Sequence, residues 1–81
     1  MSMTKKEKLL EKFMSNPSSL HYSDIEKILI EKGFEKIPAK GSHQKFKHPS
    51  LSSDLIIPIH NNDCKEFYKK LAMKIIKENT L

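Results

Sequence analysis

Gly41-Ser42-His43-Gln44-Lys45-Phe46-Lys47-His48-Pro49 is the stretch of sequence on which the fold turns. Side chains on a strand alternate between faces, so Ser42, Gln44, Phe46 and His48 share one side and His43, Lys45 and Lys47 the other. With Phe46 anchoring the inner face, His43 faces solvent between a glycine turn and two lysines. Upstream, Ala39-Lys40-Gly41 reads as a tight connection from a short strand, Phe34 to Pro38, which Pro38 ends or confines to a sheet edge. Gly33 supplies the left-handed geometry that commonly stops a helix. The helix before it opens on the capping-box spacing of Ser23 and Glu26 and presents Ile25, Ile28 and Leu29 on one face.

Downstream, a turn region from Pro49 to Asp54 leads to Leu55-Ile56-Ile57-Pro58-Ile59-His60, whose β-branched content predicts a third strand. Pro58 marks a position whose backbone donor is not needed. Asp63 and Glu66 have capping-box spacing, and Cys64, Phe67, Tyr68, Leu71, Ala72, Ile75 and Ile76 form an apolar stripe for a last helix that covers the sheet. At the other end, Thr4 and Glu7 open a helix to about Met14 with Leu9, Leu10, Phe13 and Met14 inward, and Ser15-Asn16-Pro17-Ser18-Ser19 breaks it. The predicted fold is α+β: an α-β-β-β-α two-layer unit over residues 22–81 with one open sheet face, preceded by a helical extension over 1–21, in one compact domain.

An 81-residue chain with 37% hydrophobic residues builds one modest core, which favours a shallow surface site over a deep cavity. The lone Cys64 cannot form an internal disulfide, and this fits a reducing compartment. No stretch approaches the roughly 20 apolar residues of a membrane span, and the N-terminus has no apolar secretory segment, so a cytoplasmic protein is expected. The net charge of +5 comes from 15 Lys and no Arg against 10 acids. Between Lys36 and Ser53 there is no acid, while Lys36, Lys40, Lys45 and Lys47 join His43 and His48. Such a local balance attracts a polyanion.

The nine-residue stretch resembles the HicA toxin family, whose members carry a glycine-serine-histidine strand start, an aromatic, a basic residue and a histidine-proline end. Leu29-Ile30-Glu31-Lys32-Gly33-Phe34 looks like that family's helix-to-glycine approach to its first strand, and Ile57-Pro58-Ile59-His60 is similar to its third strand. The resemblance covers about residues 22–77. It implies a double-stranded-RNA-binding-domain-like fold, metal-free ribonuclease activity against messenger RNA, no cofactor, and neutralisation by a HicB-type antitoxin. By position it makes His43 the catalytic histidine, and the basic segment around it gives Lys40, Gly41, Ser42, Lys45, Lys47 and His60 as the expected RNA-binding residues. The last helix departs from the family pattern: Asn62-Asp63-Cys64-Lys65-Glu66-Phe67-Tyr68 stands where many members have a lysine-proline-glycine-threonine-type start. The segment to Leu20 lies outside the family's short form.

The chemistry suits these residue types. A ribose 2′-hydroxyl can attack its adjacent phosphate once a base takes its proton and a cation stabilises the charge, and histidine as a residue type exchanges protons near neutrality. Lys45 and Lys47 would hold the phosphate. His60 is a second acid or a phosphate contact if it lies beside His43, and otherwise a structural strand-end residue. His48 is expected to pack at its turn, and His21 to sit in a loop without chemistry. Histidines at 21, 43, 48 and 60 give no close helical pair for a metal, and Cys64 belongs to an apolar stripe. Tyr22, Phe34, Phe67 and Tyr68 read as core or rim residues rather than base-stacking platforms. Two other classes fit the same features: an RNA-binding module without turnover, and an interaction unit whose basic face docks an acidic partner.

Overall fold

The structure, a computed structural model, describes residues 4–81, so the reading of the first three residues lies outside it. Helix α1 spans Lys5–Ser15, a 3-10 turn follows at Pro17–Ser19, and α2 spans Tyr22–Glu31. Strands β1 (Glu35–Ile37), β2 (His43–Lys47) and β3 (Leu55–Pro58) lead to α3 (Glu66–Glu78). The order is the predicted one: helix, helix, three strands, helix. The strands form an antiparallel meander, β1-β2-β3, with β2 central.

Burial follows the strand alternation. Phe46 on β2 and Leu55 and Ile57 on β3 are buried with Phe13 of α1, Ile25 and Leu29 of α2, and Ala72 and Ile76 of α3. His43, Lys47 and Ile56 point to the other side and are exposed. The sheet therefore has one face on the helices and one open, the two-layer arrangement expected of the α-β-β-β-α unit.

Gly33 does what its position predicts. With φ +96° it donates to the Ile30 carbonyl while the Phe34 N–H reaches the Leu29 carbonyl, both at 3.0 Å. This double closure ends α2 and turns the chain into β1. His48 locks the same corner. The Ser50 N–H donates to its Nδ1 at 3.0 Å, so its Nε2 carries the ring proton and donates to the Lys32 carbonyl at 3.0 Å. Its ring packs at 4.8 Å against Phe34, which is the turn-packing role expected of it.

Three local expectations are corrected. The first cap holds, since Thr4 Oγ1 accepts from the Glu7 N–H at 3.1 Å. Ser23, however, does not cap α2: the helix begins two residues earlier, with His21 as its cap and the Ser23 N–H donating to His21 Nδ1 at 3.1 Å. Asp63 does not cap α3 either. That helix starts at Glu66 behind Lys65 with no side-chain cap, because the Asp63 carboxylate is bonded elsewhere. Lastly, Phe67 lies on the outer side of α3 at 65% exposure, whereas Lys69, only 7% exposed, occupies the inward position. The apolar stripe expected of the last helix therefore has six inward members rather than seven.

Candidate active site

His43 is the first residue of β2. The turn that delivers it needs Gly41, at φ +68°, where a β-carbon would meet nothing within 4 Å. The cost of another residue there is therefore conformational rather than steric. Its register partner is Pro58, and Lys45 pairs Ile56, so the outer face carries His43 and Pro58 at one end and Lys45 and Ile56 one step along. Lys47 stands opposite Glu35 of β1 on that face.

The field on this face is weaker than the acid-free run from 36 to 53 implies. Lys45 Nζ lies 3.3 Å from Asp54 Oδ2, and Lys36 reaches back to Glu26 of α2. Among the described residues Lys40 and Lys47 make no ion pair, and both are exposed. Of the four lysines grouped by sequence, two are thus committed to acids within the protein.

His60 lies two residues beyond the end of β3. The Ile59 N–H donates to the Ser42 carbonyl at 2.9 Å, which extends the β2–β3 ladder to the residue before His43. His60 then opens a two-residue turn: its N–H donates to the Asp63 carbonyl at 2.7 Å, and the Asp63 N–H returns to the His60 carbonyl at 3.0 Å. His43, Ser42, Gly41 and His60 therefore collect at one end of the sheet, with the imidazoles not bonded to each other.

The residue that fixes this end was missed by sequence reasoning as anything but a helix cap. Asp63 Oδ1 accepts from the Cys64 N–H at 2.8 Å and the Tyr22 N–H at 2.9 Å, and Lys69 Nζ lies 3.2 Å away. Burial alone would push this carboxyl up. The two N–H bonds, then the ammonium, outweigh it and hold the carboxyl below the usual carboxylate range. Asp63 thereby ties the start of α2 to the approach to α3, and His21 Nε2 lies 3.9 Å from its other oxygen. A second tie runs from the Ser18 hydroxyl to Glu66 at 2.8 Å. The only hint of this in the sequence was a buried-face position occupied by Lys69, which needs an anion.

Cys64 and Tyr22 border this junction. Burial pushes the Cys64 thiol up, which disfavours the nucleophilic thiolate. Burial, then Glu26 and Cys64, pushes the Tyr22 phenol up as well, and its hydroxyl is buried without a partner among the described residues. Among the described residues no cluster of three or more His, Cys, Asp or Glu side chains could hold a metal ion. None of the described helices is long and apolar enough to cross a membrane.

The model of one protein family, the HicA toxin of bacterial toxin-antitoxin systems, matches residues 22–80, from the first residue of α2 through the end of α3. The chain belongs to the HicA toxin family. No curated protein and no solved structure matches it. The HicA match takes in the whole α-β-β-β-α unit, the divergent start of α3 included, and leaves α1 and the Pro17–Ser19 turn outside. Membership makes the chain the toxin component of a toxin–antitoxin pair, with an antitoxin as its partner.

Proposed function

We propose that this HicA-family toxin is a metal-independent endoribonuclease that cleaves messenger RNA by internal transesterification, with His43 as its catalytic residue. The observation that carries the reading is the exposure of His43 at the start of β2, on the open sheet face, inside the span that matches the family. Its imidazole takes the proton of a ribose 2′-hydroxyl. The 2′-oxygen bonds to the adjacent phosphorus, the bond to the 5′-oxygen breaks, and that oxygen leaves with a proton from solvent, giving a cyclic phosphate and a free 5′-hydroxyl. No external nucleophile or metal enters the balance. Lys47 and Lys40 supply the free charge along the phosphate path, which Lys45 borders with its own charge met by Asp54; Gly41 and Ser42 line the turn before His43, and His60 contacts phosphate from the neighbouring strand end. A HicB-type antitoxin neutralises the enzyme in the cytoplasm by covering His43 and the lysines beside it, which removes binding and chemistry together.

The test uses purified toxin freed of antitoxin. A His43→Ala variant keeps most RNA affinity and loses cleavage by about 100- to 10,000-fold, the range for a lost proton-transfer catalyst. Wild-type cleavage survives chelator and fails on RNA whose 2′-hydroxyls are blocked. Wild-type protein that binds RNA without cutting it, or a His43→Ala variant that cuts at the wild-type rate, would overturn the assignment and leave a binding module.

A further inference from the structure

Helix α1 adds a wall to the unit that the family match covers. It lies before residue 22, where that match begins, and it meets α2 across an open groove of about 800 Å³. Leu9 and Leu10 of α1 and Ile28 and Ile30 of α2 give the groove its apolar lining. Ile28, 4% exposed, closes the floor, whereas Ile30 is 51% exposed. A single isoleucine in water is ordinary, but this one continues an apolar trough.

The rim is basic once its internal pairs are counted. Glu31 meets Lys6 at 3.4 Å, and Glu26 is taken by Lys36. Glu7 accepts from the Thr4 hydroxyl in the cap of α1. Lys5, Lys27 and Lys32 also line the groove and make no ion pair among the described residues. Lining and rim together narrow the occupant. A nucleic acid would meet the lysines and leave the apolar lining bare. A second copy of this chain would set lysines against lysines, and like charges facing across an interface cost affinity. A trough between two helices takes the apolar face of a third, with anchors at one-turn spacing, and the free ammonium groups call for carboxylates on that helix's flanks.

We propose that the α1–α2 groove is an anchoring site for this toxin's antitoxin, which seats in it an amphipathic helix with an apolar face and acidic flanks. The inference rests on the antitoxin pairing that family membership gives and not on the nuclease reading. The groove belongs to the helix layer and His43 to the open sheet face, so the two are separate surfaces. One wall of the groove comes from outside the matched unit, and the groove therefore serves partner choice while the sheet face serves inhibition.

The experiment titrates the antitoxin encoded beside this toxin's gene into His43→Ala protein, and into the same protein carrying Ile30→Gln or the pair Lys5→Glu and Lys27→Glu. All three positions are exposed, so heating curves should match that of the parent. Ile30→Gln should weaken binding about 10-fold at every salt concentration, and the charge reversal about 10-fold at low salt, shrinking towards unity at about 0.5 M. With His43 restored, the groove variants should cut RNA at the wild-type rate. Groove variants that lose the antitoxin, in a protein whose wild type cuts no RNA, would support the anchor and remove the nuclease. An antitoxin that binds both groove variants as tightly as the parent but is lost with Lys40→Gln and Lys47→Gln would overturn the anchor and leave the sheet face as the whole interface. Self-association in sedimentation that Ile30→Gln abolishes, with antitoxin affinity unchanged, would give the groove to a second copy and overturn the proposal as well. So would the absence of antitoxin binding by any form.

Discussion

Replacing Asp63 with alanine tests whether a single carboxylate holds the His43 end of the domain together. The substitution removes the acceptor of the Tyr22 and Cys64 N–H groups, at 2.9 and 2.8 Å, and leaves Lys69, 7% exposed, without its anion. Hydrogen bonds to a charged acceptor are worth about 1.5–3 kcal/mol each. The Asp63 side chain is 37% exposed, so water reaches part of the released surface and about half of that sum is lost. Adding a share for the stranded ammonium gives about 3 kcal/mol, a large part of the stability of a small domain. For a chain of this size that corresponds to a fall of about 15 °C in Tm, read by circular dichroism during heating and by urea titration. The cause is separable. In a Lys69→Met background no buried cation remains, so Asp63→Ala should cost at least about 1 kcal/mol less than it does in the parent protein. A loss below about 0.5 kcal/mol in the single variant, or strict additivity in the double, would refute the claim that Asp63 clamps α2 to α3 through its charge.

The same carboxylate predicts an acid response. Its folded-state pKa is depressed, so its contribution is present above the ordinary carboxylate value of about 3.9 and is lost as pH falls below it; Asp63→Asn should flatten urea-unfolding stability between pH 5 and pH 3. Gly33→Ala forces a β-carbon to 3.1 Å from His48 Nε2 at φ +96°, and should cost more than about 1 kcal/mol in denaturant titration, with His48→Ala weakening the penalty. Because Lys36 and Lys45 are paired within the protein, RNA binding should show a log–log salt slope of about −1.4, as two phosphate contacts on a single strand give, rather than the about −2.8 of four; Lys47→Gln should reduce it by about 0.7.

The elements of this fold announce themselves locally. Gly33 had to be a helix stop, and the alternation from Ser42 to His48 had to put Phe46 inside and His43 outside, because these depend on backbone geometry within a few residues. Ends of helices were less legible. Ser23 and Glu26 have the right spacing for a capping box, yet His21 caps α2 because the Asp63 carboxylate takes the Tyr22 N–H from a distance of 41 residues. Nothing near Tyr22 in sequence signals that partner. The error over Phe67 has the same origin: an apolar stripe extended by one residue looks continuous, and only the demand of Asp63 for a cation decides that Lys69 faces inward instead.

The exposure of His43 was legible in the sequence, and the charge around it was misjudged for a related reason. A run without acids is a statement about one segment, but a strand's electrostatic neighbours come from the strands beside it. Asp54 lies just past the run, and the turn from β2 into β3 brings it within 3.3 Å of Lys45. Once such pairs form, the open face keeps the cations at Lys40 and Lys47, on either side of His43 in sequence, and too few to grip a long polyanion by charge alone.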